Sequence, residues 1–93
     1  MNRKKIRQAQ VAAIYDKNLT PGAVRLFLIL TDILIQTKEK EFPLPWKKVA
    51  QIMGIKNKKT AYSLLEQLAG KYLIQHPLKG SPPLRWYSLK NVL

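Results

Sequence analysis

Cysteine is absent from this 93-residue chain, which excludes a disulfide framework, thiolate metal ligation and a cysteine nucleophile. Acid is also scarce: five Asp and Glu stand against 17 Lys and Arg, a formal net charge of +12. These carboxylates are dispersed, and no pair has a spacing that nominates it for acid–base work. The one histidine, His76, precedes Pro77 and reads as a surface residue rather than a ligand. No HExxH, no phosphate-cradling glycine-rich loop and no Ser-His-Asp set occurs. The expectation is a protein that is not an enzyme and uses no cofactor or metal. Long hydrophobic runs are missing too. The longest apolar stretch, residues 24–35, is interrupted by Arg25, Thr31 and Asp32, and falls short of the roughly 18–20 residues that span a bilayer. The basic start, Met1-Asn-Arg-Lys-Lys, lacks the apolar segment of a signal peptide. A soluble, cytoplasmic protein is expected.

What is present is a core and a lopsided charge. With 46% hydrophobic residues, the chain can bury the interior of one domain. Residues 1–41 hold eight basic and four acidic side chains, a net of +4, whereas residues 42–93 hold nine basic side chains and one acid, a net of +8. No carboxylate lies between Glu41 and Glu66, and none follows Glu66. A one-sided positive field suits nucleic acid first, with an anionic membrane surface or an acidic protein behind it.

Residues 1–15 read as a basic N-terminal arm carrying Arg3, Lys4 and Lys5, and its short apolar segment at 10–15 fits either a strand or a helical turn. The domain proper is expected over 16–93. Thr20-Pro21 opens a helix, Thr as N-cap and Pro where its missing N–H costs nothing. At about 100° per residue, Arg25, Asp32 and Gln36 fall on one polar stripe, and apolar residues cover most of the remainder. So wide an apolar arc means that helix 20–37 is central or meets a partner. Phe42-Pro-Leu-Pro45 is extended, because each proline disfavours helix in the residue before it. A short helix follows over 46–53, with Val49, Ala50 and Met53 at core spacing and Gly54 at the left-handed position that ends it. Asn57 caps a further helix from 58 to about 72, with Ala61, Leu64, Leu65, Leu68 and Tyr72 inward. Residues 73–79 and 84–89 flank Gly80-Ser-Pro-Pro83 and predict a hairpin, with Pro77 placing its strand at an edge or making it irregular.

The segment carrying Phe42-Pro43, Val49-Ala50, Met53-Gly54-Ile55, Ala61, Leu64-Leu65, Leu68 and Tyr72-Leu73-Ile74 resembles the winged helix-turn-helix family. With Leu19-Thr-Pro21 opening a hydrophobic first helix, it looks like the winged-helix domains of plasmid and phage replication initiators and DnaD-like proteins. The resemblance covers about residues 19–89. It differs in having Leu44-Pro45 where a small polar cap is usual, and Lys56-Asn57 where a single Ser is usual. The expected fold is mainly α with a small β-hairpin (α+β): three helices plus a wing.

The resemblance implies roles for matching positions. Lys58, Lys59, Tyr62 and Ser63 would face the major groove, where Lys donates to guanine and Ser serves either base type. Lys47, Lys48 and Lys56 would meet flanking phosphates, while Lys79 and Arg85 would act from the wing. The arm would add Arg3, Lys4 and Lys5 to the phosphate clamp. Lysines on a helix are ordinarily a solvated face, but as a set without an intervening acid they point to a polyanion. Trp46 and Trp86 read first as packing anchors.

The leading expectation is therefore a DNA-binding protein of replication or transcription control, on a bacterial or mobile-element genome, with duplex favoured over single strands. One rival is a replication accessory protein. It would dock a polymerase, helicase or initiator through helix 20–37 and hold single-stranded DNA by stacking on Tyr62, Trp86 and Tyr87. A second is a protein-interaction adaptor. Homodimerisation through helix 20–37 is a further expectation.

Overall fold

The structure is a computed structural model that describes residues 2–90; Met1 and residues 91–93, where the expected domain ends, lie outside the described residues. The element order is α1 (Arg3–Ile14), α2 (Pro21–Thr37), β1 (Phe42–Pro43), α3 (Trp46–Met53), α4 (Lys58–Leu68), β2 (Leu73–Lys79) and β3 (Leu84–Leu89). The expected α+β class is observed, with four helices and a three-stranded antiparallel sheet among the described residues. One helix and one strand are additional to the expected three helices and hairpin.

The additional helix corrects the reading of residues 1–15 as an arm. Asn2 caps α1 by accepting from the Lys5 N–H at 3.1 Å. Ile6 and Ala13 are fully buried, and Ala9 and Gln10 between them are half-buried, which is the helical i, i+3, i+4, i+7 spacing. Gln10 donates from Nε2 to the buried Thr31 hydroxyl of α2 at 2.7 Å. Arg3, Lys4 and Lys5 sit at the positive end of the α1 dipole, an unfavourable placement. Packing on α2, rather than terminal electrostatics, therefore holds this helix.

α2 is central, touching α1, α3 and α4. Ala23, Leu26, Phe27, Leu30, Thr31 and Leu34 are buried along it. Its Thr20 cap accepts from the Ala23 N–H at 3.3 Å, and the Gln67 side chain of α4 accepts from the Thr20 N–H at 2.8 Å. The same two helices meet closely at Gly22, where a Cβ would stand 3.2 Å from Leu64 Cδ2.

The α3–turn–α4 unit forms where its punctuation residues place it. Pro45 supplies no side-chain cap to α3. Gly54 ends that helix in the left-handed conformation, with φ 67°. Asn57 Oδ1 then accepts from the Lys59 and Thr60 N–H groups at 2.8 and 3.3 Å. α4 stops at Leu68 rather than near Tyr72, because Ala69 is extended and Gly70 takes φ 84°. Tyr72 is buried all the same, its ring 5.2 Å from that of Phe27.

The strand order is β1-β3-β2. β1 pairs Phe42 with Tyr87 and Pro43 with Trp86, and the Phe42 and Tyr87 rings stack at 6.5 Å against the core. β2 is the opposite edge, and its register with β3 shifts between His76 and Lys79, around Pro77. That irregularity is the expected consequence of a residue that cannot donate to the ladder. No helix among the described residues is long and apolar enough to cross a membrane.

Candidate nucleic-acid interface

The apolar face of α4 fixes what its other face presents. Ala61, Leu64, Leu65 and Leu68 turn inward, so Lys59, Ser63 and Glu66 project outward and Tyr62 lies half-buried between. Tyr62 is where three elements meet. The Lys58 ammonium lies 5.8 Å from its ring centroid, and the Arg85 guanidinium, on β3, lies 5.3 Å from it. Lys58 is also 5.9 Å from the ring of Trp46 at the start of α3. Contacts of this kind are worth about 0.5–1 kcal/mol each at exposed sites. They hold the cations of helix and hairpin at one junction instead of leaving them to swing freely.

Beside the junction, Pro45, Trp46, Lys47, Tyr62, Leu78 and Arg85 contribute to a cleft of about 280 Å³ whose lining holds no carboxylate. On the outer face of α4, Asn57, Lys58, Lys59, Tyr62, Ser63 and Glu66 line an open groove. Glu66, toward the C-terminal end, is the one acid there. The N-terminal end carries the lysines together with the positive end of the α4 dipole. Such a surface can hold a polyanion and present donors to groups beyond it.

Among the expected site residues, Lys47, Lys58, Lys59, Tyr62, Ser63 and Arg85 thus line these two adjoining hollows, and exposed Lys56 stands in the turn before α4. Lys48 differs from its neighbour: it borders a hollow shared with Glu39, Phe42 and the end of α2. Lys79 is engaged elsewhere. Its ammonium donates to Glu41 Oε2 at 2.9 Å and lies 5.3 Å from the Trp86 ring. That bond holds the Glu41 carboxyl below its ordinary range against the opposing effect of desolvation, and His76 approaches the same carboxylate at 3.5 Å. Arg3, Lys4 and Lys5 are residues of α1, which packs on α2, and Arg3 borders a different hollow with Ile6, Ile35 and Lys38.

One further expectation changes. Tyr87 is buried, 1% exposed, and cannot stack a base. Trp86 is half-buried beneath Lys79, with its indole Nε1 buried and lacking a hydrogen-bond partner. The Trp46–Lys58 contact and the Glu41 competitor for Lys79 were not anticipated. Both join residues distant in sequence, or on neighbouring elements, whose geometry no spacing rule conveys. Among the described residues no group of three His, Cys, Asp or Glu is placed to hold a metal. Compared with known proteins, the chain matches no protein-family model, and no curated protein or solved structure matches it significantly.

Proposed function

We propose that this protein is a winged-helix DNA-binding protein that engages duplex DNA in replication or transcription control of a bacterial or mobile-element genome. α4 lies in the major groove, where Lys59 and Ser63 meet base edges. The β2–β3 hairpin acts as the wing, with Arg85 on the backbone. The observation that carries this reading is the Tyr62 junction, which gathers Lys58 of α4 and Arg85 of β3 on one ring beside a cleft free of acid. Lys47 and Lys56 flank the helix as phosphate contacts, which position a protein without reading sequence. Because Glu41 holds Lys79, the wing acts through Arg85 more than through Lys79.

Affinity selection from random duplex and single-stranded pools at two salt concentrations tests this. Enrichment of duplexes sharing a motif is expected. Within that motif, Lys59→Ala relaxes base preference, whereas Lys47→Ala weakens all duplexes about equally. Preferential recovery of single strands would overturn the assignment in favour of the replication-accessory reading. Of the rings that reading would use, Tyr87 is buried.

A further inference from the structure

α2 leaves one strip outside the core, and the order of its residues is self-complementary. Arg25 and Asp32 are seven residues apart and therefore lie on one side of the helix. They stand at equal distances from the midpoint between Leu28 and Ile29. Pro21 and Gln36, on the same side, do the same. A two-fold axis level with that midpoint, perpendicular to α2 and beside its exposed face, lays a second α2 antiparallel to the first. It sets Arg25 of each copy opposite Asp32 of the other. None of the six residues Pro21, Arg25, Leu28, Ile29, Asp32 and Gln36 is buried, and neither Arg25 nor Asp32 has an ion-pair or hydrogen-bonding partner through its side chain among the described residues. Asp16 and Glu41, by contrast, are both engaged by lysines.

Beside this charged edge runs an apolar seam. Ile14 of α1, Leu19, Pro21, Val24 and Leu28 line a hollow of about 370 Å³, with Asp16 and Arg25 at its margin. Val11 and Ile14 of α1 and Tyr15 at its end are three of the six large apolar side chains exposed on the described surface. Clustered exposed apolar surface marks a contact site more than scattered residues do. The chain carries +12 overall, yet α2 itself carries one cation and one anion. The α2 strip is therefore a face on which two copies meet without opposing like charges.

We infer that two copies of this chain associate as a two-fold dimer through antiparallel α2 helices, with Val24 and Leu28 in the seam and reciprocal Arg25–Asp32 pairs along its edge. Isologous two-fold pairing is the commonest form of self-association, and flanking charge pairs set its orientation and register. The pairing does not depend on DNA. Only its consequence, two α4 helices presented to a palindromic site, rests on the function proposed above.

Sedimentation equilibrium of the full chain without DNA tests the inference, with circular dichroism confirming that each variant is folded. The wild-type protein shows concentration-dependent dimerisation. Arg25→Asp places two carboxylates opposite one another at both contacts, and Asp32→Arg places two guanidiniums there. Each variant alone weakens the dimer about 10- to 100-fold. A mixture of the two restores it, because every contact in the mixed dimer then pairs Asp with Arg. The double variant R25D/D32R restores the homodimer for the same reason. Wild-type protein that stays monomeric would overturn the inference, leaving the strip to a different protein. So would single variants that dimerise like wild type, or a mixture that fails to recover association.

Discussion

The Tyr72 hydroxyl donates to Asp16 Oδ2 at 2.8 Å, joining the α1–α2 loop to the turn after α4 across 56 residues of chain. Lys71 Nζ approaches the same oxygen at 2.6 Å, and the Asn18 N–H donates to Oδ1 at 2.9 Å. The Lys71 bond, followed by those from Asn18 and Tyr72, lowers the Asp16 carboxyl from 3.8 to about 2. Burial, and then the Asp16 bond, push the Tyr72 hydroxyl up to about 12. This clasp fixes the loop that leads into α2 against the segment that leads α4 into the sheet.

Its pH dependence has two limbs. A carboxyl lowered on folding contributes stability that is complete above its unfolded value and is lost as pH falls through the folded one. For Asp16 that loss runs from about pH 4 toward pH 2. A phenol raised on folding contributes below its unfolded value, so for Tyr72 the loss comes as pH climbs from about 10 through 12. Urea unfolding is expected to show a falling midpoint below pH 4. The variant D16N has a lower midpoint at neutral pH and a shallower acid limb. Identical acid limbs in the two proteins would show that the clasp does not contribute.

A second prediction concerns α1. Ile6 is fully buried against the α2 side of the core. Ile6→Ala is expected to cost about 2–4 kcal/mol, the usual range for emptying a buried aliphatic site. Denaturant unfolding monitored by circular dichroism reads the change directly. A stability within about 0.5 kcal/mol of wild type would mean that residues 3–14 behave as a surface appendage.

Tyr62 provides a third. Its ring, not its hydroxyl, meets Lys58 and Arg85. Tyr62→Phe is therefore expected to keep duplex affinity within about twofold. Tyr62→Ala releases Lys58 and Arg85, and reordering two long side chains on binding costs roughly 1–3 kcal/mol or about 5- to 150-fold in affinity. Fluorescence anisotropy with one labelled duplex at fixed salt distinguishes these. A large loss in the Phe variant would instead assign the hydroxyl a direct role.

The helical units with strong punctuation were legible in the sequence. Thr20-Pro21, Gly54 and Asn57 each act through local chemistry, and the start of α2, the end of α3 and the start of α4 fall where these residues dictate. Pro77 likewise announced an irregular edge strand. α1 escaped because its inward positions are Ile6, Ala9, Gln10 and Ala13, three of them small or polar, so its apolar periodicity was faint beside the nearby lysines. It nevertheless accounts for part of the excess apolar arc of α2, since Gln10 and Ile6 lie against it. In the candidate interface, the resemblance and residue type together selected Lys58, Tyr62 and Arg85, whereas their convergence depends on how the hairpin folds back on α4. The capture of Lys79 by Glu41 across 38 residues is likewise a tertiary contact that no local spacing signals.

The central claim is that a cationic surface on α3, α4 and β3 holds duplex DNA, and the salt dependence of binding tests it most directly. Each neutralised phosphate contributes about −0.9 to the slope of log K against log salt. With Lys47, Lys56, Lys58 and Arg85 on phosphates, and about two further contacts, the expected slope is near −5. Duplex affinity that is nearly insensitive to salt, or no duplex binding at about 50 mM salt where such contacts are strong, would contradict it.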